Sequence, residues 1–422
     1  MLTRRLLSLT PVGEAAFNRS KAQCDMRVRK VAVLGASGIV SQRFQQRLAI
    51  HPWFELVAVF GSQRTAGTHL SELTWHLPEA RPQIDLTVSA MSDLHATLEA
   101  RGVEVVFSAL PSDVAHQVEK PLVAAGWYVF SNASAHRMDA DVPLVVADLN
   151  PHHLLPLRMR PGPFLACATN CTVIPAALPL KPLWDFIGLS KVSIRTEQAL
   201  SGGGKSLMEA AHLAETCETS IPGEAEKMQE ELLSLLGRAT PMETQPAAIE
   251  SEVACARVMR DWGHRVFVEA HLSEATPADE VIEWLGNYRS RPQTLDLPSA
   301  PASPFIIRDS LDIEADLLAG ADPASDLRAG MAITVAEIPR ALHRAIREYD
   351  SRRGRRHRPP RRTLHRRRSA RRLKPPANQN RAELGRSESM HCVGIASTEV
   401  APWPVQRSCS SLESLSLLLG RT

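Results

Sequence analysis

Val31-Ala32-Val33-Leu34 is an apolar run long enough for a buried strand, and Gly35-Ala36-Ser37-Gly38 follows it at once. The turn runs on through Ile39, Val40 and Ser41 into a helix over Gln42–Ile50. Strand, glycine turn and helix in succession commit the chain to a crossover unit, because the helix must fold back over the sheet before a parallel strand can pair. The turn has two readings. It is either an ordinary strand-to-helix connection or a cradle in which Gly35 and Gly38 bring backbone N–H groups against a pyrophosphate. Ser41 stands where a third glycine would give the closest helix-to-strand packing.

Further strands at Leu56–Phe60, Val103–Phe107 and Trp127–Asn132 alternate with helical segments, which predicts an α/β fold with a parallel sheet. Ligands of such sheets gather at the carboxyl ends of the strands, where Ser108, Leu110, Ser112, Ser131 and Asn132 fall. The loop after the second strand offers Ser62 and Arg64 in place of an acid. An acid there would take a ribose 2′-hydroxyl, whereas serine and arginine suit a 2′-phosphate, so NADP is expected.

Ala168-Thr169-Asn170-Cys171-Thr172 places a cysteine just before an apolar run of helical character. Cys171 is either a buried small residue or a nucleophile whose thiolate is stabilised near neutral pH by a helix start. Beyond it, Lys191–Ala199, Glu252–Met259 and Arg265–Leu272 alternate like half-exposed strands, with Ser201-Gly202-Gly203-Gly204 and Gly263-His264 as breaks. That pattern predicts a second, α+β domain whose exposed sheet face pairs with another subunit.

The expected organisation is an extension over 1–28, a Rossmann-type domain over 29–167, a catalytic and dimerisation domain over 168–338, and a basic tail over 339–422. Seven cysteines without a CxxC spacing give neither a disulfide framework nor a metal site, and they point to a reducing, cytoplasmic setting. No apolar run has the length of a membrane span. Residues 1–25 lack the continuous apolar core of a secretory signal, which leaves a weak organelle-type presequence or a start called too early, with Met26 as the alternative start. The net charge of +3 averages a balanced body with an arginine-dense stretch from Arg352 to Lys374. Followed by a serine-rich end without a clear period, that stretch is expected to be disordered. A nucleic-acid arm is the weaker reading of it.

Taken in order, the motifs resemble the aspartate-semialdehyde dehydrogenase family, in its archaeal and fungal-type branch, from about Val31 to Val335. The landmarks are Gly35-Ala36-Ser37-Gly38, Phe107–Ser112, Ser131–Met138, Asn170-Cys171-Thr172, Gln198 with Ser201-Gly202, Gly223-Glu224 with Glu226-Lys227, Arg257-Val258 with Gly263-His264, and Leu297–Pro301. The resemblance implies that NADPH reduces L-aspartyl 4-phosphate to L-aspartate 4-semialdehyde with release of phosphate, through a thioester on Cys171. It implies His264 as the acid/base and Gln198 as the residue positioning the acyl group. Arg257 and Glu224 would hold the substrate carboxylate and ammonium; Lys227, Asn132, Arg137 and Ser112 would hold the phosphate. The cofactor would lie on Gly35, Ser37, Gly38, Ile39, Val40, Ser62, Arg64, Ser108, Leu110, Ser201 and Gly202. The implied partners are the small-molecule substrate, phosphate and a second copy or three further copies of the chain. A metal, a membrane and a nucleic acid are not among them.

Three departures are local: Ser41 for glycine, Gly203 for alanine, and Lys205 where an apolar or aromatic residue is usual. The fourth is larger. Members of the family end on a strand, then an asparagine followed by a glycine- and alanine-rich helix beside the nicotinamide, and nothing after Val335 matches this. Arginine, proline and serine runs are what a GC-rich gene gives out of frame, so the chain after about Glu337 is expected to be frame-shifted. Weakened cofactor binding and low stability would follow. The alternatives are a thioester reductase resembling malonyl-CoA reductase, which needs no handle for an ammonium, or an impaired enzyme with a nucleic-acid-binding tail.

Overall fold

A computed structural model describes residues 27–240, 243–318 and 320–338, together with the backbone of 389–396. Six strands form the first sheet: β1 (Arg29–Leu34), β2 (Phe54–Gly61), β3 (Ser89–Ala90), β4 (Val105–Ser108), β5 (Tyr128–Ser131) and β6 (Leu165–Cys167). All pair in parallel, in the order β3-β2-β1-β4-β5-β6. Val31 to Leu34 are fully buried because β1 lies mid-sheet, with Val33 opposite both Val59 and Phe107. The chain crosses through helices α1 (Ile39–Leu48), α2 (Leu94–Arg101) and α3 (Ser112–Ala124). Phe44 of α1 stacks on Phe107 at 5.1 Å and anchors one face of the sheet. Truncating such a buried ring to alanine costs about 3–5 kcal/mol.

Strand order reverses between β1 and β4, so the loops after them diverge and leave a crevice at their carboxyl ends. After the short helix α4 (Leu155–Arg158) and β6, the chain enters α5 (Val173–Phe186). Pro179 and Pro182 each remove a backbone bond from α5, and burial of Leu178, Leu180 and Leu183 holds the helix nonetheless.

The second sheet is mixed. Its strands are β7 (Leu189–Gln198), β10 (Glu250–Arg257), β11 (His264–Leu272), β12 (Phe305–Arg308), β13 (Ile333–Ala336) and β14 (Ser389–Ala396), in the order β10-β7-β11-β14-β13-β12. A small hairpin, β8 (Arg238–Ala239) with β9 (Thr244–Gln245), lies apart. Helices α6 (Lys205–Ala214) and α7 (Glu224–Leu235) stand between β7 and β10, and α8 (Ala278–Asn287), α9 (Arg291–Thr294) and α10 (Ile313–Leu317) follow β11. Burial along β11 alternates strictly, as a sheet with one covered face requires. Arg47 at the end of α1 is buried and donates to the carbonyls of Asp326, at 2.9 Å, and Ala329, tying the first helix to the segment just before β13.

The tail is where expectation needs correction. Most of 339–422, with the expected frame shift and the arginine run, lies outside the described residues, as does the extension before residue 27. Ser389–Ala396, however, forms β14, antiparallel to both β11 and β13. Without a strand there, two rows of backbone N–H and C=O groups would be unpaired in mid-sheet, and this is the physical reason the segment is ordered.

Candidate active site

The loops after β1, β2, β4, β5 and β6 open on one cleft of about 820 Å³, closed on its other side by residues of the second half of the chain. Gly35 has φ +102°, and a Cβ there would sit 2.7 Å from the carbonyl oxygen of Ala109, so only glycine lets this turn pass the end of β4. Gly38 is the N-cap of α1 and no side chain caps it, leaving the helix start to the cleft. In place of a third glycine, Ser41 is fully buried and its Oγ accepts from Gln45 Nε2 at 3.1 Å.

The expected site residues converge on this cleft. Gly35, Ser37, Gly38, Ile39 and Val40 line one end with Ser62, Arg64 and Leu110; Ser112, Asn132 and Arg137 follow; Cys171, Gln198, Ser201, Gly202, Glu224, Lys227 and Arg257 line the other end. Two do not reach it. Ser108 is fully buried at the end of β4, and the turn beyond it puts Ala109 and Leu110 on the cleft instead. His264, the first inward residue of β11, is 2% exposed beneath the wall. Its Nδ1 accepts the Ala199 N–H at 3.0 Å, which leaves the proton of a neutral ring on Nε2. Burial, and secondarily Arg260, push its pKa down to about 4. The glycine before it serves packing, not substrate approach: Gly263 has φ +80°, and a Cβ there would lie 2.6 Å from Ile313.

Around Cys171 the polar groups form one string. Asn170 Oδ1 accepts from Thr172 N at 2.9 Å, which fixes the start of α5, and lies 3.5 Å from Cys171 Sγ. Asn170 Nδ2 donates to Glu224 Oε1 at 2.6 Å, and Gln198 Nε2 donates to the same oxygen at 3.0 Å. Gln198 Oε1 in turn accepts from Arg257 at 2.9 Å. Lys227, one turn beyond Glu224, makes no ion pair among the described residues, so the two are not a surface pair on α7.

The expectation of a thiolate near neutral pH is corrected here. Burial pushes the Cys171 thiol up to about 12, and the Glu224 charge adds to it. Arg137 and the N–H groups of Cys171 and Thr172 pull the other way and lose. The helix start does act on the sulfur, since Thr172 caps α5 at Val173 next to Cys171, but burial outweighs it.

Sequence reasoning missed Glu231. It is 3% exposed and pairs with Arg137 at 3.0 Å, and its other oxygen accepts Thr169 Oγ1 at 2.6 Å and Asn170 N at 2.7 Å. The available signal was its spacing, seven residues after Glu224 and four after Lys227, which puts all three on one helix face. Lys205 also lines the cleft, which therefore holds Arg64, Arg137, Lys205, Lys227 and Arg257 against the one acid Glu224.

Residues 30–156 match the semialdehyde dehydrogenase, NAD binding domain family. The likeness runs further along the chain: an aspartate-semialdehyde dehydrogenase of Methanothermobacter thermautotrophicus is 36% identical over 315 residues, covering 73% of this chain and 88% of that protein. The chain belongs to the aspartate-semialdehyde dehydrogenase family. A crystal structure of the Candida albicans member with NADP superposes with a TM-score of 0.64 at 29% identity, covering 74% of this chain and 89% of that one. A malonyl-CoA reductase (NADP) from Metallosphaera sedula is also similar, at 27% identity over 76% of this chain and 90% of its own.

Proposed function

We propose that this chain converts L-aspartyl 4-phosphate to L-aspartate 4-semialdehyde and phosphate with NADPH, in the synthesis of lysine, methionine and threonine. The observation that carries the reading is a single cleft joining the Gly35–Gly38 turn to Cys171, with Glu224 and Arg257 beside the sulfur. An ammonium suits Glu224 and an α-carboxylate suits Arg257, whose Nε has no partner among the described residues. Arg137, Lys227, Asn132 and Ser112 are the phosphate's counterparts, and the buried Nδ2 of Asn132 is likewise unpartnered.

The chain's own residues fit the cofactor: the glycine turn leaves room for a pyrophosphate, and Ser62 and Arg64, on the same cleft, have the chemistry to hold a 2′-phosphate. NADPH, when bound, supplies the hydride that takes the acyl group to the aldehyde level. Cys171 sulfur attacks the acyl carbon, and phosphate leaves with the electron pair of its bridging bond and the proton the thiol gives up, giving a thioester. Gln198 holds the acyl oxygen without titrating, and the family resemblance assigns the later proton transfer to His264, whose buried ring would have to turn Nε2 to the cleft to take part. Collapse of the reduced adduct returns the sulfur.

In the reverse direction, purified protein should reduce NADP with aspartate semialdehyde only when phosphate is present, and Cys171→Ala should abolish this. Coenzyme A-dependent turnover in place of the phosphate requirement would favour a thioester reductase. Seven cysteines without a paired spacing support a reducing compartment, the cytoplasm. No helix among the described residues is long and apolar enough to cross a membrane. The outward face of β7 and β11, where Arg195 lies 3.7 Å over the Phe267 ring, suits a homodimer contact, which light scattering after gel filtration would test.

A further inference from the structure

We propose that Glu231 is a positioning residue that locks the cation Arg137 to the loop carrying Cys171, so that the phosphate subsite and the attacking sulfur keep a fixed separation. The proposal rests on the reading of the cleft given above and adds to it a residue that does not itself line the cleft. Three segments meet on this one carboxylate. Oε1 takes Arg137 from the loop after β5; Oε2 takes the hydroxyl of Thr169 and the N–H of Asn170 from the loop after β6; α7 supplies the carboxylate itself. Arg137 also donates to the Asn132 carbonyl at 2.8 Å, so its guanidinium is held at two points while it lines the cleft.

A buried carboxylate is costly unless its lone pairs are filled, and here both oxygens are used. This one ties a cleft-lining cation to the backbone of Asn170, the residue whose side chain reaches both Glu224 and Cys171. An amide at 231 has one oxygen in place of two, so it must release either Arg137 or the Asn170 loop. Aspartate keeps both oxygens but withdraws them by one methylene.

The test is a double-mutant cycle on the full-length chain, reading KM for inorganic phosphate during NADP reduction with aspartate semialdehyde. Glu231→Gln and Arg137→Ala should each raise that KM about tenfold or more, because each removes a hydrogen bond to a charged group, with much less effect on KM for the semialdehyde. The double variant should be no worse than Arg137→Ala alone, and Glu231→Asp should recover part of the loss. Effects that multiply in the double variant, or an unchanged phosphate KM in Glu231→Gln, overturn the proposal. If Glu231→Gln does not fold, Glu231→Asp carries the cycle. If the unaltered enzyme does not turn over, the activity reading fails by itself, and the lock is read from phosphate protection of Cys171 against iodoacetamide. That protection should weaken about tenfold in Glu231→Gln and no further in the double variant. Protection that survives Glu231→Gln, or is missing in the unaltered protein, overturns the lock.

Discussion

Asn170 touches Glu224 with its amide nitrogen, at 2.6 Å, and faces Cys171 with its amide oxygen, 3.5 Å from the sulfur. The acid that suits a substrate ammonium is thus one side chain away from the nucleophile, and its charge helps keep the thiol protonated. Glu224→Gln removes that charge without removing the hydrogen-bonding group, so the Cys171 pKa should fall. Alkylation by iodoacetamide at pH 8 should speed up severalfold, since each pKa unit changes the thiolate fraction about tenfold. A pH–rate profile measures this, and an unchanged or slower reaction would show that Glu224 does not govern the sulfur.

Arg64 lines the cofactor end of the cleft. Arg64→Ala should weaken NADPH binding about tenfold or more and leave NADH binding nearly as it was, because only the former carries a 2′-phosphate. Quenching of intrinsic fluorescence by each nucleotide separates the two, and equal losses for both would contradict the assignment.

Gly35 and Gly102 both have left-handed φ, +102° and +67°, but only at Gly35 does a Cβ meet backbone, at 2.7 Å. Gly102→Ala should cost about 1 kcal/mol of conformational strain. Gly35→Ala should cost about 1–3 kcal/mol and also impair NADPH binding. Thermal melts with and without NADPH compare them, and equal behaviour of the two variants would remove the case for close approach at the first turn.

Burial holds the pKa of His51, His153 and His264 down to about 4. In the unfolded chain these rings titrate near 6.5, so between 6.5 and 4 the unfolded state binds more protons than the folded one. Stability is therefore fully present above pH 6.5 and is lost as the pH falls towards 4, by on the order of 3 kcal/mol for each ring. The melting temperature should be level from pH 7 to 8 and drop steadily below pH 6.5, with a shallower drop in His51→Gln. A level curve down to pH 5 would rule this out.

The first sheet was legible because each of its main strands is a short apolar run bounded by a glycine, serine or asparagine, and parallel strands buried on both faces need no finer pattern. The cleft was legible because its parts lie at the carboxyl ends of those strands. Glu231 was not, since its bonds to Thr169 and Asn170 span 62 and 61 residues and nothing local marks their far end. The burial of His264 was hidden for a related reason: alternation along β11 tells which residues share a face, not which face is covered. For Cys171 the shortfall was one of degree, because a residue's desolvation depends on neighbours from the whole chain, whereas a helix start can be read in five letters. Ser389–Ala396 lay hidden in a serine-rich context, and only the open position between β11 and β13 gives it a reason to be a strand.

That late strand has a consequence for how the molecule comes into being. The middle of the second sheet stays open during synthesis until Ser389–Ala396 has left the ribosome, well after β13, with β11 and β13 waiting on either side of the gap. Two waiting edges offer the same backbone pattern to any neighbouring nascent chain, so yield in the cell should depend on how well chaperones shield them.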